Sequence, residues 1–326
     1  MSLPTLAIAL GDPAGIGPEL ALKTALDARV RAMCRPILIG DAGVLAIHAA
    51  GAGITAQLVP RDRADQAEAA PGTVDLLPRH NFAPGEFALG SVTAQNGRAA
   101  LDCAAAAIAA ALDGQVHAVL AAPMNQTAIA AAGIAFDGYP TFVARQCGLA
   151  EEDVFLMLCF DRTRIVHITL HVPVARALAL LTRTRITSAI LAADAALKRL
   201  GIARPRIAVG GLNPHAGEGG LFGTEDQDVT TPAIDDARAA GVAVDGPFGA
   251  DTMFHKAGYD AFTVMLHDQG HIAAKMVAPH ATAGLTIGAP VLFSSVAHGS
   301  GHDIAGRGMA DPTAMISAVA RLCGAA

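Results

Sequence analysis

Short apolar runs recur along this chain, and most are followed by a stretch with helical spacing. Residues 3–10, 36–40, 118–122, 154–158, 164–171, 207–211, 261–266, 284–288 and 291–296 read as strands. Residues 20–26, 42–50, 97–112, 187–200, 226–240 and 313–322 read as helices. Strands that alternate with helices predict an α/β fold with a mostly parallel sheet. Strands covered by helices on both faces are apolar throughout rather than alternating. Aromatic residues are 4% of the chain and Trp is absent, so Ala, Leu, Val and Ile must fill the core. Runs 154–158 and 164–171 are close enough to form a hairpin. Residues 51–92 mix short apolar runs with Gly, Pro and charge and indicate no clear element. No repeat and no low-complexity linker appears, so two domains would be interleaved rather than strung in series.

Composition excludes several functions. The net charge is −6 and the basic residues are scattered, which leaves no electrostatic footprint for nucleic acid. No apolar run approaches the ~20 residues of a membrane span, and the chain enters a strand almost at once without the pattern of a signal peptide. Five cysteines, an odd number without a CxxC pair, fit a reduced, cytoplasmic setting and a role as small buried hydrophobes.

Three of the apolar runs deliver a histidine to a strand end: His171, His215 and His267. Ligands of open α/β sheets bind at the carboxyl ends of strands. Three imidazoles with open positions would make a metal site of the catalytic type, and imidazole favours Zn, Co or Ni over Mg. His167 and His271 compete with them, because His167 lies four residues before His171 and points to the same side of a strand. His48, His80, His117 and His255 stand alone and read as structural.

Two glycine-rich stretches frame the chain. Gly11-Asp-Pro-Ala-Gly-Ile-Gly-Pro-Glu19 links the first strand to the first helix. It is a tight turn that could also present helix N–H groups to an anion. Ser294-Ser-Val-Ala-His-Gly-Ser-Gly-His-Asp-Ile-Ala-Gly-Arg-Gly-Met-Ala-Asp-Pro312 precedes the last helix. It offers polar caps and backbone N–H groups around a concavity.

The second stretch resembles the adenine-ribose loop of isopropylmalate and isocitrate dehydrogenases. Together with the Gly11–Glu19 motif, Gly211-Leu-Asn-Pro-His-Ala-Gly-Glu-Gly219 and His267-Asp-Gln-Gly-x-x-x-x-Lys275, it is similar to the 4-hydroxythreonine-4-phosphate dehydrogenase (PdxA) family along the whole chain. The resemblance implies two α/β/α domains of isocitrate/isopropylmalate dehydrogenase type. Residues 1–125 with 276–326 would form a nucleotide-binding domain, and residues 126–275 a metal, substrate and dimerisation domain. It further implies a homodimer with the site shared across its interface. NAD would lie on His298, Gly299, Ser300, Asp303, Ile304, Ala310 and Asp311. A divalent cation would lie on His171, His215 and His267, with zinc preferred over cobalt, manganese, magnesium or iron.

Departures from the family pattern bear on the substrate. The chain has Gly138-Tyr-Pro-Thr141 in place of Gly-His-Thr-Glu, and Gln126 in place of a Lys. Gly284 and Phe293 stand where an Asn and an Arg help to hold the phosphorylated substrate. Loss of charge-assisted donors argues against a phosphate ligand. The variant pattern is similar to the terephthalate dihydrodiol dehydrogenase branch, which oxidises and decarboxylates a cis-dihydrodiol dicarboxylate to a catechol acid such as protocatechuate. On that resemblance Lys275 pairs with a substrate carboxylate or moves protons, and Asp251 and Asp268 orient ligands or act as base. Tyr139, Thr141, Asn213, Ser294 and Ser295 contact the substrate. The alternative is a 4-phosphohydroxy-L-threonine dehydrogenase of pyridoxal phosphate biosynthesis, or a relative acting on another phosphorylated hydroxy acid.

Overall fold

A computed structural model describes residues 3–278, 282–296 and 298–324. It separates into two compact units, Met1–Cys147 with Pro290–Ala326, and Gly148–Ala289.

The first unit opens with β1 (Thr5–Ala9), α1 (Gly17–Leu26), α2 (Ala28–Met33), β2 (Arg35–Gly40) and α3 (Ala42–Ala52). Next come β3 (Gln57–Pro60), β4 (Thr73–Pro78), α4 (Ala94–Leu112), β5 (Ala118–Ala121), α5 (Gln126–Ala131) and α6 (Tyr139–Gln146). The second unit holds β6 (Phe155–Phe160), β7 (Thr163–His167), α7 (Val174–Leu180), α8 (Arg183–Arg199) and β8 (Arg206–Gly210). It continues through α9 (Thr231–Ala239), β9 (Ala243–Phe248), β10 (Ala261–Val264), α10 (His267–Val277) and β11 (Ala283–Ile287). The chain then returns to the first unit with β12 (Phe293–Val296) and α11 (Thr313–Leu322).

Six parallel strands build the first unit's sheet in the order β3-β4-β2-β1-β5-β12. Every residue of β1 and β5 is buried, which accounts for their unbroken apolar sequences. α4 begins on a Thr93 cap that accepts from the Asn96 N–H. It packs against α5 at Gly97, where a Cβ would come 2.3 Å from the Ala128 carbonyl oxygen.

The second unit's order is β11-β6-β7-β10-β8-β9. β11 and β7 each pair antiparallel with β6, the latter through the expected hairpin, while β7, β10, β8 and β9 run parallel. Leu158, Ile165, Phe262 and Val264 form the core beneath α10.

The fold class is the expected one, but the boundaries differ from 125/126 and 275/276. Residues 126–147 stay with the first unit because α5 and α6 pack on α4. Residues 276–289 stay with the second because β11 pairs with β6 along its length. Among the described residues no helix is long and apolar enough to cross a membrane.

Candidate active site

Four adjacent parallel strands of the second unit end on one edge. The register pairs Val264 of β10 with His167 of β7, Thr263 of β10 with Val209 of β8, and Gly210 of β8 with Phe248 of β9. The segments that leave this edge carry His171 after β7, His267 and Asp268 after β10, Asn213 and His215 after β8, and Asp251 after β9. Sequence distance therefore becomes spatial adjacency at the usual ligand edge of such sheets.

Imidazoles gather there. β7 ends at His167 rather than at His171, and His171 lies in the following exposed segment, with its ring centroid 5.5 Å from that of His267. His267 opens α10, and His271, one turn on, stacks on it at 3.7 Å and 11°. The His167 ring lies 4.5 Å from His271 and 6.4 Å from His267. It is fully buried, and neither ring nitrogen has a hydrogen-bond partner among the described residues. Burial, reinforced by the charges of His271 and His267, pushes the His167 pKa down to about 3. Burial and then His267 bring His271 down to about 4. Both are neutral at physiological pH, the form in which imidazole binds metal.

His171 and His267 line one cavity of ≈ 380 Å³ with Asp268, and Val172, Pro173 and Val174 supply an apolar wall. Asp268 Oδ1 lies 2.7 Å from His267 Nδ1. A carboxylate on Nδ1 sets the tautomer that leaves Nε2 a lone pair for a ligand. Lys275 is exposed in the last turn of α10 and its charge reaches His271.

The loop after β8 is built differently. Residues 215–219 all have positive φ, including the non-glycine His215 (52°), Ala216 (54°) and Glu218 (43°). Left-handed backbone costs roughly 1–2 kcal/mol per ordinary residue, and such strain concentrates at functional segments. Asp226, 1% exposed, anchors the loop by accepting from the Leu212 and Asn213 N–H groups at 2.8 and 2.9 Å. The Asn213 amide donates to Glu225, and His215 Nδ1 lies 3.1 Å from Glu218. Exposed Asp251 sits beside the His215 backbone, since a Cβ on Gly249 would come 2.8 Å from Asp251 Oδ1 and 3.5 Å from His215 Cα. The structure thus brings His171 and His267 together but does not bring His215 into a group with them. Among the described residues no set of three or more His, Cys, Asp or Glu side chains stands close enough to hold a metal ion. The left-handed turn and the Glu218 contact hold the third imidazole in a loop of its own.

The remaining expected residues belong to the first unit. Tyr139 starts α6 but is buried between Phe136 and Phe293, at ring distances of 5.6 and 4.8 Å. Its hydroxyl has no partner among the described residues, and burial raises its pKa. Thr141 donates to the Asp137 carboxylate and to the Gly138 carbonyl. Ser294 and Ser295 lie on β12 in register with Leu120 and Ala121. In the C-terminal loop His298 Nδ1 lies near the Gly299 carbonyl, and Ser300 Oγ accepts from Asn125. Asp303 is exposed and Ile304 closes a turn onto Gly301. Ala310 is buried, whereas Asp311 is exposed and accepts from the Thr313 N–H and hydroxyl. Those two bonds hold the Asp311 pKa below the usual carboxylate value.

Sequence reasoning missed the supports. Gln269 accepts from the Met265 and Leu266 N–H groups and donates to the Gly211 carbonyl, tying the end of β10 to that of β8. A Gln three residues after Leu266, the residue that caps the helix start, is a capping signal that could have exposed it. Asp226 carried no comparable signal.

The chain is similar to known proteins along nearly its whole length. The family model "Pyridoxal phosphate biosynthetic protein PdxA" matches residues 32–322. A 1,2-dihydroxy-3,5-cyclohexadiene-1,4-dicarboxylate dehydrogenase of Comamonas sp. is 42% identical over 97% of this chain and 96% of its own. The crystal structure of a terephthalate 1,2-cis-dihydrodiol dehydrogenase from Burkholderia xenovorans LB400 is 43% identical, with TM-score 0.77 over 99% of this chain and 98% of that one. That of a 4-hydroxythreonine-4-phosphate dehydrogenase from Burkholderia phymatum is 34% identical, with TM-score 0.88 over the same shares.

Proposed function

The chain is an oxidoreductase of the PdxA family, and we propose that it oxidises and decarboxylates a cis-dihydrodiol dicarboxylate of the terephthalate 1,2-cis-dihydrodiol type, with NAD and a divalent cation. The observation that carries this reading is the cavity where His171, His267 and Asp268 meet a mostly apolar lining of Leu170, Val172, Pro173, Val174, Ala177 and Leu266. A six-membered ring bearing two carboxylates and two hydroxyls would lay its carbons on the apolar wall and turn its oxygens to the imidazole end, where a bound cation would meet them. Identity to dihydrodiol dehydrogenases over the full length supports the same choice.

His171 and His267 fit a cation in donor type, separation and the carboxylate behind Nδ1. His215, emerging after the neighbouring strand β8, would be the third residue of such a set. When bound, NAD accepts the hydride and the cation polarises the alcohol and carboxylate oxygens. The chain's own groups do the rest. Asp268 keeps the His267 ring in place. Asp251, beside His215, or Asp268 takes the alcohol proton. Lys275 pairs with a carboxylate or delivers a proton after CO2 is lost. Asn213 donates to the substrate from the edge of β8. Tyr139 serves through packing, since its hydroxyl is buried. Residues 298–311 carry the nucleotide. Loss of CO2 from the β-keto acid aromatises the ring and leaves a catechol acid.

A homodimer with a shared site belongs to this reading. Ile272, Met276 and Val277 of α10 are 57%, 81% and 69% exposed beside the histidines, an apolar surface that a second copy would cover.

Turnover of the dihydrodiol with NAD, measured beside 4-phosphohydroxy-L-threonine, tests the proposal. NADH and CO2 from the dihydrodiol are expected. Faster use of the phosphothreonine would assign the enzyme to the phosphorylated substrate instead.

A further inference from the structure

The Gly11–Glu19 motif is not used by any step above, yet four of its residues meet the C-terminal loop. Asp12, 1% exposed, lies 2.7 Å from His302 Nε2 through Oδ2 and accepts from the Ala14 N–H through Oδ1. The Ile16 N–H donates to the Ser300 carbonyl at 2.7 Å, and a Cβ on Gly15 would come 2.4 Å from that same oxygen. Glu19, fully buried, accepts from the Gly308 N–H at 3.1 Å and the Ala310 N–H at 2.9 Å. Lys23, one turn along α1, binds Glu19 at 2.7 Å and donates to the Gly308 and Ala310 carbonyls at 2.9 and 2.7 Å. The loop is therefore held at residues 300, 302, 308 and 310.

We propose that Asp12, Glu19 and Lys23 are positioning residues for the nucleotide: they shape the loop ending at Asp311 without touching the cofactor. The inference rests on the reading that residues 298–311 bind NAD. The Glu19–Lys23 pair presents one acceptor and one donor to a single peptide segment, so it fixes both faces of that backbone at once. Buried charge-assisted bonds are short and directional, and a buried ion pair is a poor source of net stability but a good source of a defined geometry. The carboxylate's two backbone bonds set the segment immediately before Asp311. A relaxed segment would let the loop sample shapes that cannot bind, lowering affinity in proportion to the competent fraction.

The test combines NADH titration with amide exchange on the full chain. In Glu19→Gln the exchange of the Gly308 and Ala310 amides should accelerate without the nucleotide. The Kd for NADH should rise about tenfold, while kcat at saturating NAD and the KM for the dihydrodiol stay within about twofold. Lys23→Gln, at a partly exposed side chain, should shift the Kd in the same direction and serves if Glu19→Gln fails to fold. An unchanged Kd in a folded variant overturns the proposal, as does faster exchange spread over the whole first unit. If the unaltered protein does not bind NADH, the cofactor reading fails. The exchange measurement then still decides whether Glu19 orders residues 308–310.

Discussion

Gly270 lies directly on the imidazole of His167. A Cβ at that position would come 2.4 Å from His167 Nε2 and 2.8 Å from Ile165 Cγ2. Only a glycine lets the first turn of α10 settle over β7 and carry His267 and His271 to the cluster. Gly270→Ala should destabilise the protein by about 1–3 kcal/mol, as overpacking of a filled core does, and lower activity by displacing His267. Chemical denaturation with a parallel rate measurement checks it; a neutral substitution would mean that the helix is free to lift.

Asp226 should matter more than its distance from the chemistry suggests. Asp226→Ala leaves the Leu212 and Asn213 N–H groups and the buried Thr230 hydroxyl without their acceptor. The expected cost is about 2–4 kcal/mol, with the left-handed turn at 215–219 relaxing. Asp226→Asn keeps the shape but presents a donor to one N–H, and should fall between. Thermal melts of the three proteins would establish the order.

Acid should weaken the fold through His48. Its ring is fully buried, with Nε2 2.8 Å from the Pro13 carbonyl. Burial lowers its pKa, against the opposing pull of that carbonyl, Glu19 and Asp12. The folded state thus favours the neutral ring. The stability it contributes is complete above the unfolded pKa of about 6.5 and is lost as pH falls below that value toward the lowered folded pKa. His48→Gln should flatten the slope of unfolding free energy as pH falls below about 6.5. A slope identical to that of the unaltered protein would remove His48 from the account.

Asp268 should govern cation affinity without being a ligand. Asp268→Asn alters the partner of His267 Nδ1 and should weaken binding of added Zn2+ about 10- to 100-fold, whereas His171→Ala and His267→Ala should abolish it. Competition with a chromogenic chelator reads this without any substrate. Equal affinity in Asp268→Asn would leave His267 oriented by packing alone.

Much of the architecture was legible from sequence because buried parallel strands read as unbroken apolar runs: β1, β5 and β10 were visible without any partner in view. β3 was not, since its residues are all partly or fully exposed at a sheet edge and their composition matches that of a loop. β9 was hidden for a similar reason, with Gly246 and Pro247 inside it. α10 was hidden because the polar residues of its first turn signal chemistry more loudly than helical spacing.

The sequence by itself determined which residue types were available and on which strand ends they would emerge, because strand periodicity and apolar length are local properties. Tertiary structure decided which of them meet. It placed His167 and His271 against His267, left His215 on a separate left-handed turn, and joined Glu19 to an amide 289 residues away. No local pattern encodes these contacts. They arise from β10 inserting between β7 and β8, and from α1 packing close enough for one carboxylate to find its donors in a distant loop.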